Sequence, residues 1–273
     1  MTEYLRKTAV VTGAGRGLGA AIATALANAG IEVLGGTPDG PTEPLTIQSA
    51  CERSAAIHQV KCDIRDGQSV ERLWDAGAEI MGRIDLWINN AGLALTGHDL
   101  VALDPAAFRN MIDINLIGTM NACRVAAHGM QRQGFGAIWN MLGAGWDGKP
   151  VKRMNGYATS KAALAFLSAA LADEAADKAY TVGAISPGLV MTDGFFREHA
   201  GVPADELPAR NAVVNIIGDH PETIAEWMAG ELARPPVNGE TIIWLTPEKI
   251  AARRAQIPPR DILSRYRAPE TFT

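Results

Sequence analysis

The chain is expected to form a doubly wound α/β domain, in which helices cover both faces of a mostly parallel β-sheet. Short apolar segments alternate with longer helical segments from the first strand to the last, a pattern typical of parallel sheets. No internal repeat or low-complexity linker interrupts this order. A single domain is therefore expected over residues 1–246, followed by a carboxyl-terminal tail over residues 247–273.

The first two strands and the helix between them are recognisable from composition. Residues 8–11 are a continuous apolar run, as expected of a buried strand. Residues 18–29 are rich in alanine and end before Gly30, a typical helix C-cap. Residues 31–34 are a second short strand. The glycines and prolines of residues 35–41 are expected to break any regular structure there.

The middle of the chain continues the alternation. Residues 56–62 and 84–88 are expected to form strands, and residues 69–81 between them have the apolar spacing of an amphipathic helix. An Asp-Pro pair marks the start of a helix expected over residues 105–132, because proline favours the first helical position.

The last part of the chain supplies three more strands, expected over residues 137–141, 181–185 and 240–245. Helices are expected over residues 155–177 and 221–232. The stretch before the second of these helices is broken by glycine and proline and is expected to be irregular. Sheets of this kind bind ligands beyond the carboxyl ends of their strands, where the strand order reverses.

Composition and charge exclude some classes of protein. The 273 residues are 47% hydrophobic and 20% charged, with a formal net charge of -5. A nucleic-acid-binding protein would normally carry a basic stripe. The basic stretch over residues 253–267 is expected to face solvent, with a subunit contact or a clamp on an acidic ligand as alternatives. The longest apolar stretch, residues 162–172, is too short to span a membrane, and no targeting segment is recognised.

The cysteines and histidines lack the spacing of metal ligands. Cys51, Cys62 and Cys123 are odd in number and scattered, and the five histidines are equally dispersed. No metal site is expected. A reducing, cytoplasmic location is expected because cysteines in oxidising compartments are normally paired.

A glycine-rich segment between the first strand and the first helix is typical of a dinucleotide-binding site. Residues 12–19 read Thr-Gly-Ala-Gly-Arg-Gly-Leu-Gly. Backbone amides at a helix start attract a pyrophosphate. Gly13 permits the tight turn, Gly17 lets the backbone approach the phosphates, and Gly19 lets the helix pack closely on the sheet.

The end of the second strand bears on the choice of dinucleotide. An acidic residue there would hold the ribose of NAD and repel the extra phosphate of NADP. Thr37 occupies that position, and Arg16 is placed to contact the phosphate, so NADP(H) is favoured. Asp39 weakens this preference, and NAD(H) is the alternative. Asp63, after the third strand, is placed to meet the adenine ring.

Tyr157 and Lys161 lie four residues apart, so they share one face of the helix expected over residues 155–177. A nearby ammonium makes a phenol easier to ionise. Tyr157 is therefore a candidate general acid for a carbonyl, or general base for an alcohol. A proton donor together with a dinucleotide site indicates hydride transfer.

These motifs, with three others, resemble the short-chain dehydrogenase/reductase family. In chain order they are residues 12–19, the Asn-Asn-Ala-Gly segment over residues 89–92, Asn115, Tyr157 with Lys161, and Pro187-Gly188 followed by Thr192. The resemblance spans about residues 5–245 and implies a Rossmann-type fold and an oxidoreductase that uses a nicotinamide cofactor.

The resemblance also implies residue roles. Tyr157 would pass the proton, Lys161 would bind the nicotinamide ribose and lower the pKa of the tyrosine, and Asn115 would hold a water in a proton relay. The other residues expected to contact the cofactor are Gly13, Arg16, Gly17, Leu18, Gly19, Thr37, Asp63, Ile64, Asn90, Gly92, Pro187, Val190 and Thr192.

One residue of the family pattern is missing. The family normally carries a serine after the fifth strand, where Gly143 and Ala144 stand here. Losing one such hydrogen-bond donor costs about 10²–10³ in rate in other enzymes. A backbone N–H between Gly143 and Gly145, the Trp146 indole or a water are candidate substitutes. Alternatively, the small residues make room for a large substrate.

A narrower similarity extends to plant chlorophyll b reductases. It is carried by residues 140–150 and 186–193, by Asn215 and by the segment that begins at Trp244. Those enzymes use NADPH to reduce a ring formyl group to a hydroxymethyl group.

Residues 191–215 are expected to form a substrate lid. Phe195 and Phe196 would offer an apolar wall to the substrate, or would only pack the lid down. The tail is expected to begin with a short helix over residues 247–255, and either to cover the site or to cross to a partner subunit. The family resemblance implies a homodimer or homotetramer formed through the two long helices over residues 105–132 and 155–178.

Three functions are open at this point. The favoured one is an NADP(H)-dependent oxidoreductase acting on a bulky, largely apolar carbonyl or alcohol. The second is an NAD-dependent alcohol dehydrogenase on the same scaffold. The third is a nucleotide-binding sensor or assembly subunit without turnover. The absent serine supports the third, whereas the intact Asn115, Tyr157 and Lys161 oppose it.

Overall fold

The described residues of the computed structural model, 8–47, 54–97, 99–199 and 202–266, form an eight-stranded sheet and a separate two-stranded pair. The strands are β1 (Thr8–Thr12), β2 (Glu32–Thr37), β3 (Leu45–Ile47), β4 (Ile57–Lys61), β5 (Leu86–Asn89), β6 (Ala137–Met141), β7 (Thr181–Ser186), β8 (Leu189–Val190), β9 (Gly218–Asp219) and β10 (Thr241–Ile243). The large sheet has the order β10-β7-β6-β5-β1-β2-β4-β3, and its pairs are parallel except for β3 with β4. The predicted doubly wound, mostly parallel α/β fold is confirmed.

Helices cover both faces of this sheet. They are α1 (Gly17–Asn28), α2 (Gly67–Met81), α3 (Pro105–Ile112), α4 (Thr119–Gln133), α5 (Asn155–Glu174), α6 (Asp193–His199), α7 (Leu207–Ile217), α8 (Pro221–Ala233) and α9 (Pro247–Arg254). On one face, α1 and α8 bury side chains such as Leu26 and Met228. On the other face, α2 and α4 bury Leu73 and Met130. Each such side chain stabilises the fold by about 1.5–3 kcal/mol.

The strand order reverses between β1 and β5, and this reversal sets the position of the site. The connections that follow these two strands diverge, which leaves a crevice at the carboxyl edge of the sheet. The glycine segment follows β1, and the Asn-Asn-Ala-Gly segment begins at the end of β5. The sheet therefore brings these two motifs together.

The second strand is longer than predicted, because it continues through Gly35 and Gly36 to Thr37. A Cβ on Gly35 would lie 2.7 Å from Ala14 Cβ, and one on Gly36 would lie 2.8 Å from Leu73 Cδ2. These glycines permit close approach on both faces of the strand rather than ending it.

Other parts of the chain also differ from expectation, since the antiparallel edge strand β3 was not predicted. The helix expected over residues 105–132 contains a π-helical segment, Asp113–Gly118, between α3 and α4. The stretch expected to be irregular contains α6 and α7, and the pair β8–β9 was also not predicted. The lid helices gain their stability from tertiary packing, since Phe195 and Val214 are buried in one apolar cluster with residues of the tail.

The described part of the tail, residues 247–266, packs on the rest of the chain. Two of its arginines, Arg253 and Arg260, do not face solvent as expected, whereas Arg254 and Arg265 are exposed. Arg253 Nη2 and Arg260 Nη2 each donate to a carboxylate oxygen of Asp219 at 2.7 Å. The side chains of the two arginines are only 12% and 18% exposed, and that of Asp219 is 4% exposed. Ile262 and Leu263 join the apolar cluster beneath the lid. Residues 247–266 are thus packed against β9, α6 and α7 of the same chain.

No helix in the described ranges has the combined length and hydropathy needed to cross a membrane. Among those residues there is also no cluster of three or more His, Cys, Asp or Glu side chains suited to a metal ion. Burial raises the pKa of the Cys62 thiol to about 11 and that of Cys123 to about 12, so both thiols are unreactive at neutral pH. Cys51, His98 and Arg267 lie outside the described residues.

Candidate active site

A cavity of about 780 Å³ lies at the carboxyl edge of the sheet and extends from the glycine segment to the lid. Most residues singled out from the sequence line it. They are Gly13, Arg16, Gly17, Leu18, Gly19, Thr37, Asp63, Ile64, Asn90, Gly92, Gly143, Tyr157, Lys161, Pro187, Val190, Thr192 and Phe195. The fold thus gathers residues from distant segments around one space large enough for a cofactor and a substrate.

The glycine segment forms the turn between β1 and α1. Gly13 and Gly17 have φ values of +67° and +56°, in the left-handed region that favours glycine. A Cβ on Gly13 would lie 2.8 Å from Ala91 Cα, so this turn lies directly against the loop after β5. Helix α1 begins at Gly17, and no side chain among the described residues caps its first turn. Its amide groups can therefore bind an anion, which fits a pyrophosphate.

Asn90 joins the glycine turn to the loop after β5. Its Nδ2 donates to Thr12 O at 3.0 Å, and its backbone N–H donates to Thr12 Oγ1 at 3.1 Å. The Ala91 N–H donates to the same hydroxyl, also at 3.1 Å. These bonds hold the two loops at the sheet's reversal point as one wall of the cavity.

The residues expected to choose between NAD and NADP lie on one rim of the cavity. A Cβ on Gly15 would lie 2.7 Å from Thr37 Oγ1, so the end of β2 adjoins the glycine turn. Arg16 is exposed beside it, immediately before α1. Asp39 also lines the cavity. This rim therefore carries one cation, which would attract the extra phosphate of NADP, and one carboxylate, which would repel it.

Asp63 lines the cavity as expected, but Arg65 binds its carboxylate. Arg65 Nε donates to Oδ1 at 3.0 Å, and Nη2 donates to Oδ2 at 2.6 Å. This pairing holds the pKa of Asp63 below its usual value. Arg65 also lines the cavity, although the sequence analysis did not single it out. A charged pair rather than a single carboxylate therefore meets the cavity beside Ile64.

Tyr157 and Lys161 lie on the cavity side of α5, as their spacing predicts, but the cation does not acidify the phenol. Lys161 is 4% exposed, and its Nζ donates to Met141 O at 2.9 Å and lies 5.8 Å from the centre of the Tyr157 ring. Burial, reinforced by the negative charge of Glu198, raises the pKa of Tyr157 above its usual value. The expected acidification is wrong for the protein without cofactor. Burial lowers the pKa of Lys161 to about 8.

Gly143 leaves room for the Tyr157 hydroxyl. A Cβ built on Gly143 would overlap that oxygen and would lie 2.9 Å from Tyr157 Cζ. The phenol thus fills the space that a side chain at this position would need. This gives a physical reason for the glycine where the family pattern has its serine.

Comparison with known proteins decides the family. Residues 7–200 match the family model described as short chain dehydrogenase. The chain belongs to the short-chain dehydrogenase/reductase family. It is accordingly an NAD(P)-dependent oxidoreductase that acts on CH–OH or C=O groups.

Three proteins similar to this short-chain dehydrogenase/reductase show the range of its relatives. It is 32% identical to 3beta-hydroxysteroid dehydrogenase 1 of Eggerthella lenta over 235 residues, which cover 83% of this chain and 88% of that protein. It is 28% identical to a chlorophyll(ide) b reductase of Oryza sativa subsp. japonica over 236 residues, 84% of this chain and 67% of that protein. A crystal structure of a dehydrogenase/reductase from Sinorhizobium meliloti 1021 superposes with a TM-score of 0.70 at 27% identity, covering 88% of this chain and 94% of the other.

Asn115 of this short-chain dehydrogenase/reductase lies behind the cavity, inside the π-helical segment. Its Oδ1 accepts from Leu93 N at 2.7 Å, and its Nδ2 donates to Leu93 O at 2.8 Å and to Ser160 Oγ at 3.0 Å. Ser160 Oγ in turn donates to the backbone oxygen of Tyr157 at 2.7 Å. The side chain therefore ties the loop after β5 to the helix that carries the tyrosine.

Two residues expected to contact substrate lie elsewhere. Trp146 packs against the apolar cluster of Leu142 and Leu164 and does not line the cavity. Phe196 turns toward the tail, where its ring centre lies 4.5 Å from that of Tyr266. Successive residues of a helix point in different directions, so only Phe195 of the lid pair reaches the cavity.

Sequence reasoning missed one acidic residue of the cavity. Glu198 on α6 and Thr96 after β5 both line it, and the Thr96 hydroxyl donates to Glu198 Oε2. No motif marks either residue. Only the folded chain brings them together, since they are 102 residues apart in sequence.

Proposed function

We propose that this enzyme transfers hydride between NADP(H) and a bulky carbonyl or alcohol, with Tyr157 as the general acid or base. The observation that carries the proposal is that Tyr157, Lys161 and the glycine turn line one cavity. The nicotinamide supplies the hydride, and the protein must supply the proton and the orientation.

The chemistry proposed for the chain concerns one proton. In reduction, Tyr157 Oη donates its proton to the carbonyl oxygen as the hydride reaches the carbon. The phenol, whose pKa burial raises, is protonated at neutral pH, as a general acid must be before the reaction. Lys161 would bind the nicotinamide ribose through its ammonium. Asn115 would position Tyr157 and the loop after β5 through the bonds described above.

The preference for NADP(H) is proposed from the rim of the cavity. Thr37 brings no negative charge to the end of β2, and Arg16 is exposed beside it. A second phosphate would gain a charge-assisted hydrogen bond there. Asp39 favours NAD(H), the alternative. Affinities of NADPH and NADH for the wild type and for Arg16→Ala separate the two: we expect the variant to lose about tenfold in NADPH affinity while its NADH affinity stays unchanged.

A large and mainly apolar substrate is proposed from the cavity and from the relatives. Leu142, Met154, Leu189 and Phe195 line its lid end. A hydroxysteroid dehydrogenase and a chlorophyll(ide) b reductase, which are similar to this chain, are both named for substrates built on ring systems. With no side chain on Gly143, the second hydrogen bond to the substrate oxygen would come from the backbone or from water.

A screen of NADPH oxidation with aromatic aldehydes, ketones and tetrapyrroles tests the function. We expect turnover of at least one class, measured as loss of absorbance at the nicotinamide band. Firm NADPH binding without turnover of any carbonyl, or of any alcohol with the oxidised cofactor, would contradict the proposal and favour a nucleotide-binding sensor or assembly subunit.

We propose that copies of this chain associate through the π-helical segment with α4 and through α5. Ile117 and Met120, at the junction of the π-helical segment and α4, are 41% and 44% exposed. Phe166 on α5 is 78% exposed. Apolar side chains exposed on both helices fit a homodimer or homotetramer interface.

A further inference from the structure

Arg197 is a cation of the cavity wall that the mechanism above does not use. It lies in the last turn of the lid helix α6 and is exposed. It lines the same cavity as the glycine turn and Tyr157. Within the described ranges, its guanidinium forms no hydrogen bond or ion pair with another residue. This side of the cavity therefore offers a free cation to an anionic ligand.

The guanidinium is turned back toward the beginning of the lid. A Cβ on Gly194 would lie 3.8 Å from Arg197 Nη2 and 3.6 Å from Thr192 Oγ1. A Cβ on Gly17, the first residue of α1, would lie 3.4 Å from Thr192 Cγ2. Thr192 is thus close to both the guanidinium and the start of α1. The arginine adjoins the part of the cavity where the uncapped amides of α1 can bind an anion.

The neighbouring carboxylates leave Arg197 unpaired. Asp193 precedes it by four residues on α6, a spacing at which two charged side chains can pair. The two residues do not pair, and Asp193 also lines a second cavity of about 520 Å³, which Arg197 does not line. Glu198 accepts the hydroxyl group of Thr96 instead. The charge of Arg197 is therefore not neutralised by either acid of its own helix.

We propose that Arg197 binds the diphosphate of the nicotinamide cofactor from the lid side of the cavity. The amides of α1 hold the same group from the side of the glycine turn. A guanidinium suits this task because its planar fork of N–H groups matches phosphate oxygens. NADP(H) and NAD(H) share the diphosphate, so the inference depends neither on the choice between them nor on proton transfer by Tyr157.

The test measures cofactor affinity in Arg197→Ala. Dissociation constants of NADPH and NADH are determined by isothermal titration calorimetry without substrate. One charge-assisted hydrogen bond corresponds to about 10- to 100-fold in affinity, and solvent screening lowers this value at an exposed site. We expect both constants to rise about fivefold, with their ratio unchanged within twofold. Arg16→Ala, in contrast, is expected to weaken the binding of NADPH alone.

A third ligand and two further variants make the test specific. ADP-ribose keeps the diphosphate and lacks the nicotinamide, so Arg197→Ala is expected to weaken it about fivefold as well. Arg197→Lys keeps the charge without the planar fork and is expected to lose less affinity than Arg197→Ala. Arg254→Ala removes the same charge from an exposed arginine outside the cavity and is expected to change no constant more than twofold. Melting curves check that each variant is folded.

The proposal is overturned if Arg197→Ala changes the dissociation constant of NADH less than threefold, or if Arg254→Ala changes it equally. Weakening of NADPH alone would assign Arg197 to the extra phosphate of NADP. Unchanged binding of ADP-ribose would assign it to the nicotinamide end, and unchanged cofactor binding with a raised KM for a carboxylate-bearing substrate would assign it to the substrate. Because binding is measured without turnover, these results are distinct from failure of the proposed function, which the carbonyl screen reports.

Discussion

The replacement of Gly143 by alanine tests how the site manages without the family's serine. A Cβ at this position would overlap the Tyr157 hydroxyl oxygen and would lie 2.9 Å from Cζ and 3.1 Å from Cε1. Tyr157 has little freedom to move as a whole. The loop after β6 packs closely on α5, where a Cβ on Gly145 would lie 2.9 Å from Ala158 Cα. The phenol must therefore tilt away from its present place.

The size of the effect follows from these distances. Ordinary van der Waals contact begins at 3.4 Å, so Cζ must retreat by about 0.5 Å, and the hydroxyl, which is closer, must retreat by more. Misplacing a reacting group by about 1 Å can lower the rate by about 10²-fold. Overpacking a tight contact also costs about 1–3 kcal/mol of stability. We expect kcat for carbonyl reduction to fall by about 10²-fold while the Kd of NADPH, measured by fluorescence, changes less than threefold.

A neighbouring substitution provides the control. Ala144 is exposed and already carries a Cβ, so Ala144→Ser adds a hydroxyl group without displacing the phenol. Its kcat is expected to stay within threefold of the wild type or to rise. If Gly143→Ala keeps more than half of the wild-type kcat, the phenol does not act from the position described here and the reasoning is refuted.

Three other perturbations test separate parts of the structure. Asp219→Ala leaves Arg253 and Arg260 buried without their carboxylate partner, so the free energy of unfolding in urea should fall by about 3–5 kcal/mol; a loss below 1 kcal/mol would mean that these ion pairs do not hold the tail to β9. Lys161→Met should raise the melting temperature of the protein without cofactor while abolishing turnover, because burial lowers the pKa of Lys161 from 10.5 to about 8. The difference in melting temperature between the variant and the wild type should become smaller as the pH rises from about 8 to 10.5, because in this range folded wild-type Lys161 is neutral while the unfolded chain still holds the proton. A difference that does not change with pH would contradict the burial of Lys161. Phe166→Glu should reduce the mass seen by sedimentation, and an unchanged mass would place any subunit interface elsewhere.

The sequence predicts the sheet well because its strands are short apolar runs bounded by clear breaks. Residues 137–141 match β6 at both ends. The sequence predicts a second strand that ends too early, because glycine normally interrupts a strand. Here Gly35 and Gly36 instead leave space for the side chains of Ala14 and Leu73, which pack against the strand. Such close approaches depend on neighbours distant in sequence, which local composition does not reveal.

The same distinction applies to the site. The spacing of Tyr157 and Lys161 predicts a shared helix face, and the structure places both at the cavity. The spacing does not predict that Lys161 would bind Met141 O, nor that burial and the charge of Glu198 would raise the pKa of the phenol. Asp219 gave no signal at all, because its partners Trp244, Arg253 and Arg260 follow it by 25, 34 and 41 residues.

The proposed function depends on proton transfer by the Tyr157 phenol. Pre-steady-state reduction by Tyr157→Phe, with NADPH bound and a carbonyl that the wild type turns over, tests it most directly. If the phenol transfers the proton, the Kd of NADPH changes less than threefold while the hydride-transfer rate falls by about 10²-fold or more. A hydride-transfer rate equal to that of the wild type would contradict it.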